Sequence, residues 1–230
     1  MRRIDTKYVI PADEVVQLLH SIRPDYHVLE IAANRTGIYT SLYYDTSDRQ
    51  MFHAHVTDRL PRYKVRERFY SQNGLKFYEV KQKSNKGRTI KQRISLTENV
   101  AENRNETNDW LSRQTPFHSD ELTPSLITCF ERITLINNKQ TERVTLDFNL
   151  HFRTPTGMVT PVFDRVAIIE LKQEKTADSP VKAYLRSQNI RPARISKYCT
   201  GMLLTENEIG YKRYKPKFSR FIKTQYEHFD

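Results

Sequence analysis

Two cysteines and six glycines are all that the 230 residues contain of either type. Cys129 and Cys199 alone cannot build a disulfide framework, which points to a reducing compartment. The scarcity of glycine and the lack of any repeated tract exclude a repeat array and a low-complexity chain. No run approaches the roughly 20 apolar residues that a membrane-spanning helix requires. The charged opening Met1-Arg2-Arg3-Ile4-Asp5 lacks the apolar stretch of a secretory leader. The chain is therefore expected in the cytoplasm, with peripheral docking on a membrane surface as an option. A P-loop, a nucleophilic serine elbow and a cysteine–histidine pair are missing as well. Acidic residues are the last shortage: 27 Asp and Glu face 38 Lys and Arg, a formal charge of +11. That excess predicts a polyanionic partner, whether nucleic acid, an anionic membrane or phosphate compounds.

What the chain does have is period-two alternation, broken by a few helical stretches. Strands are expected over residues 3–10, 39–46, 62–70, 75–83, 88–96, 126–136, 143–152 and 166–173. Gln72-Asn73-Gly74 and Ser84-Asn85-Lys86-Gly87 read as hairpin turns between neighbouring strands. Helical spacing marks residues 13–22, 47–55 and 179–188, and another helix starts at Ser196. Residues 98–124 read as a connecting insert with a short helix near 109–113, in which Trp110 is a packing residue. The domain reading is a body over residues 1–210 and a basic, peripheral tail over 211–230. Aromatic residues, 13 Tyr and 11 Phe, supply much of the core.

Splitting each strand into its two faces gives the informative pattern. One face carries Lys64, Arg66 and Arg68, against Tyr63, Val65 and Phe69 on the other. The next strands set Glu79, Lys81 and Lys83 against Tyr78 and Val80, then Lys91 and Arg93 against Ile90 and Ile94. Further on, Arg143, Thr145, Asp147 and Asn149 oppose Val144, Leu146, Phe148 and Leu150, and Glu170 and Lys172 oppose Ile169 and Leu171. A solvated face normally mixes both signs, and like charges on adjacent strands repel. Cations on the same face of strand after strand make sense if the sheet closes and a polyanion neutralises the interior. Nucleic acid fits less well, because the cations point into strand interiors and no exposed stripe with aromatic platforms emerges.

These residues, in order, are Arg66-Glu67-Arg68, Glu79-Val80-Lys81, Lys91-Gln92-Arg93, Phe130-Glu131-Arg132, Arg143-Val144-Thr145-Leu146-Asp147, Glu170-Leu171-Lys172 and Ser196-Lys197-Tyr198. The ordered set resembles the VTC (vacuolar transporter chaperone) polyphosphate polymerase domain of the triphosphate tunnel metalloenzyme superfamily, over roughly residues 3–202. The resemblance implies an α+β fold: an antiparallel eight-stranded β-barrel, or tunnel, with a basic interior flanked by helices. It implies catalytic roles for Arg66, Arg68, Lys81, Arg132 and Arg143, and phosphate binding by Lys7, Lys91, Arg93, Ser196 and Lys197. Glu170 would hold Mn²⁺ or Mg²⁺, with Asp5 and Asp147 as further candidates. The implied partners are ATP, inorganic polyphosphate and a membrane protein, and no nucleic acid. Hydrolytic relatives open with Glu-x-Glu-x-Lys, whereas this chain has Arg3-Ile4-Asp5-Thr6-Lys7; that departure favours a polymerase over a triphosphatase. His53-Ala54-His55 reads as structural, because residues two apart on a helix do not share a face. Asp45 reads as a cap for the helix that follows it.

Overall fold

The computed structural model describes residues 4–97, 100–174, 177–206 and 211–226, without side chains at 100–105 and 211–217. Arg3 therefore lies outside the described residues. The strands are β1 (Ile4–Pro11), β2 (Tyr26–Val28), β3 (Thr36–Asp45), β4 (Arg62–Tyr70), β5 (Lys76–Lys83), β6 (Thr89–Ser95), β7 (Thr123–Asn137), β8 (Glu142–Arg153) and β9 (Val166–Gln173). The helices are α1 (Glu14–Ile22), α2 (Gln50–Val56), α3 (Val100–Gln114), α4 (Pro180–Ser187), α5 (Lys197–Thr205) and α6 (Tyr211–Tyr226). All pairings are antiparallel, in the order β1-β9-β8-β7-β3-β4-β5-β6, with β2 alongside β7. The expected α+β sheet of eight main strands is present, with β2 as a short ninth. Its end strands β1 and β6 do not pair, so the sheet curls into a trough that strand hydrogen bonds do not close.

Much of the outward face is apolar and covered by helices, the reverse of an ordinary barrel, while Ile38, Phe69 and Ile90 on that face stay exposed. Under α1 and α4, Leu18, Ile22, Val181 and Leu185 pack on Val144, Leu146, Ile169 and Leu171. Asp13 caps α1, and Ser179 with Pro180 opens α4, which sets where these apolar stripes begin. Val65, Tyr78 and Val80 form a second cluster with Leu111 of α3. The insert thus holds a full helix, longer than its sequence suggested, and Trp110 packs edge-on to Tyr78.

The interior is not cationic throughout. One half of the concave side is an apolar plug in which Tyr198, Met202 and Leu203 of α5 meet Phe52, Phe130, Phe152 and Phe163. Gly201 permits this approach, since a Cβ there would stand 2.5 Å from both Leu126 and Phe152 side-chain carbons. The tail departs from its peripheral reading as well: Phe218 and Phe221 of α6 are buried in the same plug. Lys212, Arg213, Lys215 and Lys217 have side chains outside the described residues. Asn149, with a φ of 50°, accompanies a register shift between β7 and β8. Such a bulge reverses the alternation. Val144 and Leu146 accordingly pack outward, whereas Leu150 turns into the plug, contrary to straight alternation. No helix among the described residues is long and apolar enough to cross a membrane.

Candidate functional site

The other half of the concave face gathers the cations. On the β4–β5–β6 wall, Arg66 donates from Nε and Nη2 to Glu79 Oε2 at 2.8 and 2.6 Å. Lys91 Nζ donates to the other oxygen of Glu79 at 2.5 Å. Burial raises the cost of charge on Glu79, but Arg66, Arg68 and Lys91 outweigh it and hold its pKa at about 2. Burial also draws Lys91 down to about 8 against the pull of Glu79. Arg66 Nη1 reaches the Tyr43 hydroxyl at 2.9 Å. Burial alone would push that phenol up; Arg66, Arg68 and Lys64 reverse the shift and bring it to about 7. Arg68 donates to Ser41 Oγ at 2.9 Å, and burial plus repulsion from Arg66 lowers its pKa. Arg93 lies over the Phe77 ring at 4.2 Å.

The facing wall repeats the motif. Arg132 grips Asp147 through Nε (2.5 Å) and Nη2 (2.7 Å), and Lys197 donates to the same carboxylate. Arg132 and Lys197 overcome the burial of Asp147 and hold it at about 2. Lys197 is lowered to about 8, chiefly by burial. Aromatic faces line this wall, with the Arg132 guanidinium 4.9 Å from Tyr39 and the Lys197 ammonium 4.4 Å from Phe130. Both oxygens of Asp147 are thus engaged by cations. Arg143 lies on the same face of β8, four residues before Asp147, where it is exposed at the rim opposite Lys172.

Between the walls opens a cavity of about 480 Å³, lined by Asp5, Lys7, Lys64, Lys81, Glu170 and Ser196 among others. Register places Lys7 directly opposite Glu170 and Lys64 opposite Lys81, which is in turn opposite Lys91. Lys7 Nζ donates to the Ile195 carbonyl at 3.0 Å, and Lys64 Nζ donates to Ser196 Oγ at 2.8 Å. Ser196 is also the N-cap of α5, which brings Lys197 and Tyr198 to the site. Glu170 is salt-bridged to Lys172 at 3.2 Å. Its pKa lies well below the usual carboxylate range, because Lys7, Lys172 and Arg132 more than offset its burial.

Behind the site, Tyr198 donates to Asp45 at 2.5 Å, and Asp45 accepts from the backbone N–H groups of Thr46, Met51 and Phe52. Asp45 therefore satisfies first-turn N–H groups of α2 from the end of β3, while the N-cap position itself is Arg49. Tyr198 stacks on Tyr43 at 4.9 Å and so connects Asp45 to Arg66. His55 bonds the Tyr63 carbonyl at 2.9 Å, in keeping with a structural role.

The structure thus gathers Lys7, Arg66, Arg68, Lys81, Lys91, Arg132, Ser196, Lys197 and Glu170 on one concave face, with Arg93 and Arg143 towards its edges. Sequence reading assigned no role to Tyr43, Tyr39, Ser41 and Lys172. Tyr39, Ser41 and Tyr43 alternate along β3, but they carry no charge and left no signal. Lys64 shares a strand face with Arg66 and was visible there, yet it is not among the positions that the family resemblance carried over.

No cluster of three or more His, Cys, Asp or Glu side chains occurs among the described residues. An all-protein metal cage is therefore not what this site offers. Asp5 and Glu170, two carboxylates on one cavity, fit a hard divalent ion that keeps one or two protein oxygens and takes the rest from phosphate and water.

The VTC domain model matches residues 2–206. Solved structures with a similar fold include a proposed adenylate cyclase from Bacillus halodurans, at 15% identity over 85% of this chain and 96% of that one, with a TM-score of 0.54. Another is a proposed adenylate cyclase from Vibrio parahaemolyticus, at 13% identity over 85% and 95%, with a TM-score of 0.50. At such identities the likeness is one of fold. Among curated protein sequences none matches this chain.

Proposed function

The chain belongs to the VTC domain family, and on that premise we propose that it extends inorganic polyphosphate with the terminal phosphoryl group of ATP. The observation that carries this reading is the concave face, where arginines and lysines from β1, β4, β5, β6, β7, β9 and α5 converge on a single trough. A terminal phosphate oxygen of the chain attacks the γ-phosphorus in line, the bond to the β–γ bridging oxygen breaks, and ADP leaves with that electron pair. Phosphoryl transfer asks the protein for position and charge rather than for a nucleophile. Arg66 and Arg132, oriented by Glu79 and Asp147, offer paired N–H groups to the equatorial oxygens of the transferring group. Lys91 and Lys197 add point charges, and Arg68, Arg93 and Arg143 extend the basic surface. Glu170 and Asp5 would hold Mg²⁺ or Mn²⁺, which neutralises charge between phosphates when bound. A membrane protein that exports or anchors the polymer is part of the proposal.

Incubation with ATP and Mn²⁺, followed by assay of polymer, ADP and free phosphate, tests it. Polymer with stoichiometric ADP is expected. Free phosphate without polymer would replace the polymerase with a triphosphatase. Neither product, with tight polyphosphate binding, would make this a binding module.

A further inference from the structure

The concave face also carries a row of aromatic rings that the proposed reaction leaves unused. Phe130 stacks on Tyr39 with ring centres 5.5 Å apart, Tyr39 meets Tyr70 edge-on at 5.0 Å, and Tyr70 meets Phe77 edge-on at 5.8 Å. A cation closes each end. The Lys197 ammonium lies 4.4 Å from Phe130, and the Arg93 guanidinium lies 4.2 Å from Phe77. The two ends differ in exposure: Phe130 and Tyr39 are buried, whereas Tyr70 and Phe77 are half-buried and Arg93 is exposed. Register sets Phe77 opposite Arg68, so the ring stands on the inner face and not among the side chains under α3. Among the described residues the Tyr70 hydroxyl has no hydrogen-bond partner and Arg93 has no ion pair. The hairpin that carries Tyr70 and Phe77 is held in place by its turn. There the Gln72 side chain lies on Gly37, where a Cβ would stand 2.2 Å from its carboxamide carbon.

We propose that Arg93, backed by Phe77 and flanked by Tyr70, is the platform on which the base of the nucleotide stacks, so that the nucleotide enters the trough from this end. This rests on the polymerase reading for the presence of a nucleotide. A guanidinium is planar and weakly hydrated; with one face on an aromatic ring it offers the other to a second flat group, and a nucleobase is such a group. The spacing agrees. Tyr70 is four residues beyond Arg66 on β4, and Phe77 is two before Glu79 on β5, about 7 to 13 Å along the strands. Ribose and two phosphates occupy a span of that order between a base and a terminal phosphate at the Arg66 clamp. Lys64 and Lys81 lie in the opposite direction along the same strands. The cavity there presents no comparable face, since Phe218 is buried and His55 is bonded to the Tyr63 carbonyl. The aromatic end is thus the one built for a base.

Affinities for a non-hydrolysable ATP analogue and for linear tripolyphosphate, which has no base, separate stacking from charge. Arg93→Lys keeps the charge and removes the planar face, and Phe77→Ala removes the ring behind it. Each should weaken the ATP analogue about tenfold, the loss of one base stack, and leave tripolyphosphate within about twofold of wild type. Equal losses for the two ligands, or an unchanged analogue affinity in both variants, would overturn the platform. Arg93 is exposed, so its variant tests the platform even if Phe77→Ala unfolds. A wild-type protein that binds tripolyphosphate but not the analogue would overturn the platform and the polymerase reading together. Base-selective losses in a protein that makes no polymer from ATP would overturn the polymerase reading and leave the platform standing.

Discussion

Glu79 and Asp147 lie on opposite walls of the trough, and each is clamped between an arginine and a lysine. Lys7, Lys64 and Lys81, in the cavity between, have no carboxylate bonded to them. The same residue type thus does two jobs within one sheet. In each clamp one carboxylate orients an arginine and a lysine, and the group keeps a net positive charge. In the cavity Lys7 and Lys64 bond neutral acceptors, and the carboxylates of Asp5 and Glu170 line the same space. Burial alone does not separate these groups, because Arg68, which bonds the Ser41 hydroxyl, and Glu79, which holds a clamp, are both buried as deeply as much of the core.

The comparison breaks if the clamps prove dispensable to folding. Asp147→Ala would leave Arg132 and Lys197 unpaired in a buried position, and should cost about 3–5 kcal/mol in denaturant melts. Lys81→Met should stay within about 0.5 kcal/mol. Arg66→Ala comes next: turnover should fall about 10²–10³-fold, with some loss of stability because Glu79 keeps only Lys91. Near-normal turnover would remove Arg66 from the chemistry. Glu170→Gln should shift the Mn²⁺ dependence of activity by about tenfold or more, as expected when one of very few protein oxygens is lost; an unchanged titration would count against it as a ligand.

The smallest effect expected is on pH. Lys64 is brought to about 8 by burial, with Lys7 and Lys81 adding repulsion and Cys199 and Tyr43 opposing. Arg62, His55 and Glu170 also face this cavity. An ammonium binds phosphate and the amine does not, so polyphosphate affinity should decline as pH rises through about 8. The decline should be shallower in Lys64→Arg, whose guanidinium stays protonated.

Much of this was legible because a strand has only two faces. Once Lys64, Arg66 and Arg68 shared one face with Val65 on the other, the hydrophobic positions had to lie under helices, and Val65 indeed packs against Leu111. Two features escaped for physical reasons. Asn149 adopts a left-handed backbone that reverses the alternation, so Leu150 faces the plug although its spacing from Leu146 puts it outside. The tail reads as basic because its charges outnumber its aromatics. Phe218 and Phe221 fall three apart, and one buried stripe suffices to dock α6 on the plug. The carboxylate partners were equally hidden, since the choice of Glu79 for Arg66 and of Asp147 for Arg132 depends on register between strands.

The most direct test of the whole account is a crystal structure with linear tripolyphosphate and Mn²⁺ bound. Phosphates lying in the trough between Lys64 and Arg132, with the metal beside Glu170, are the predicted result. Phosphates on the outer surface, or a trough left empty at saturating ligand, would contradict it.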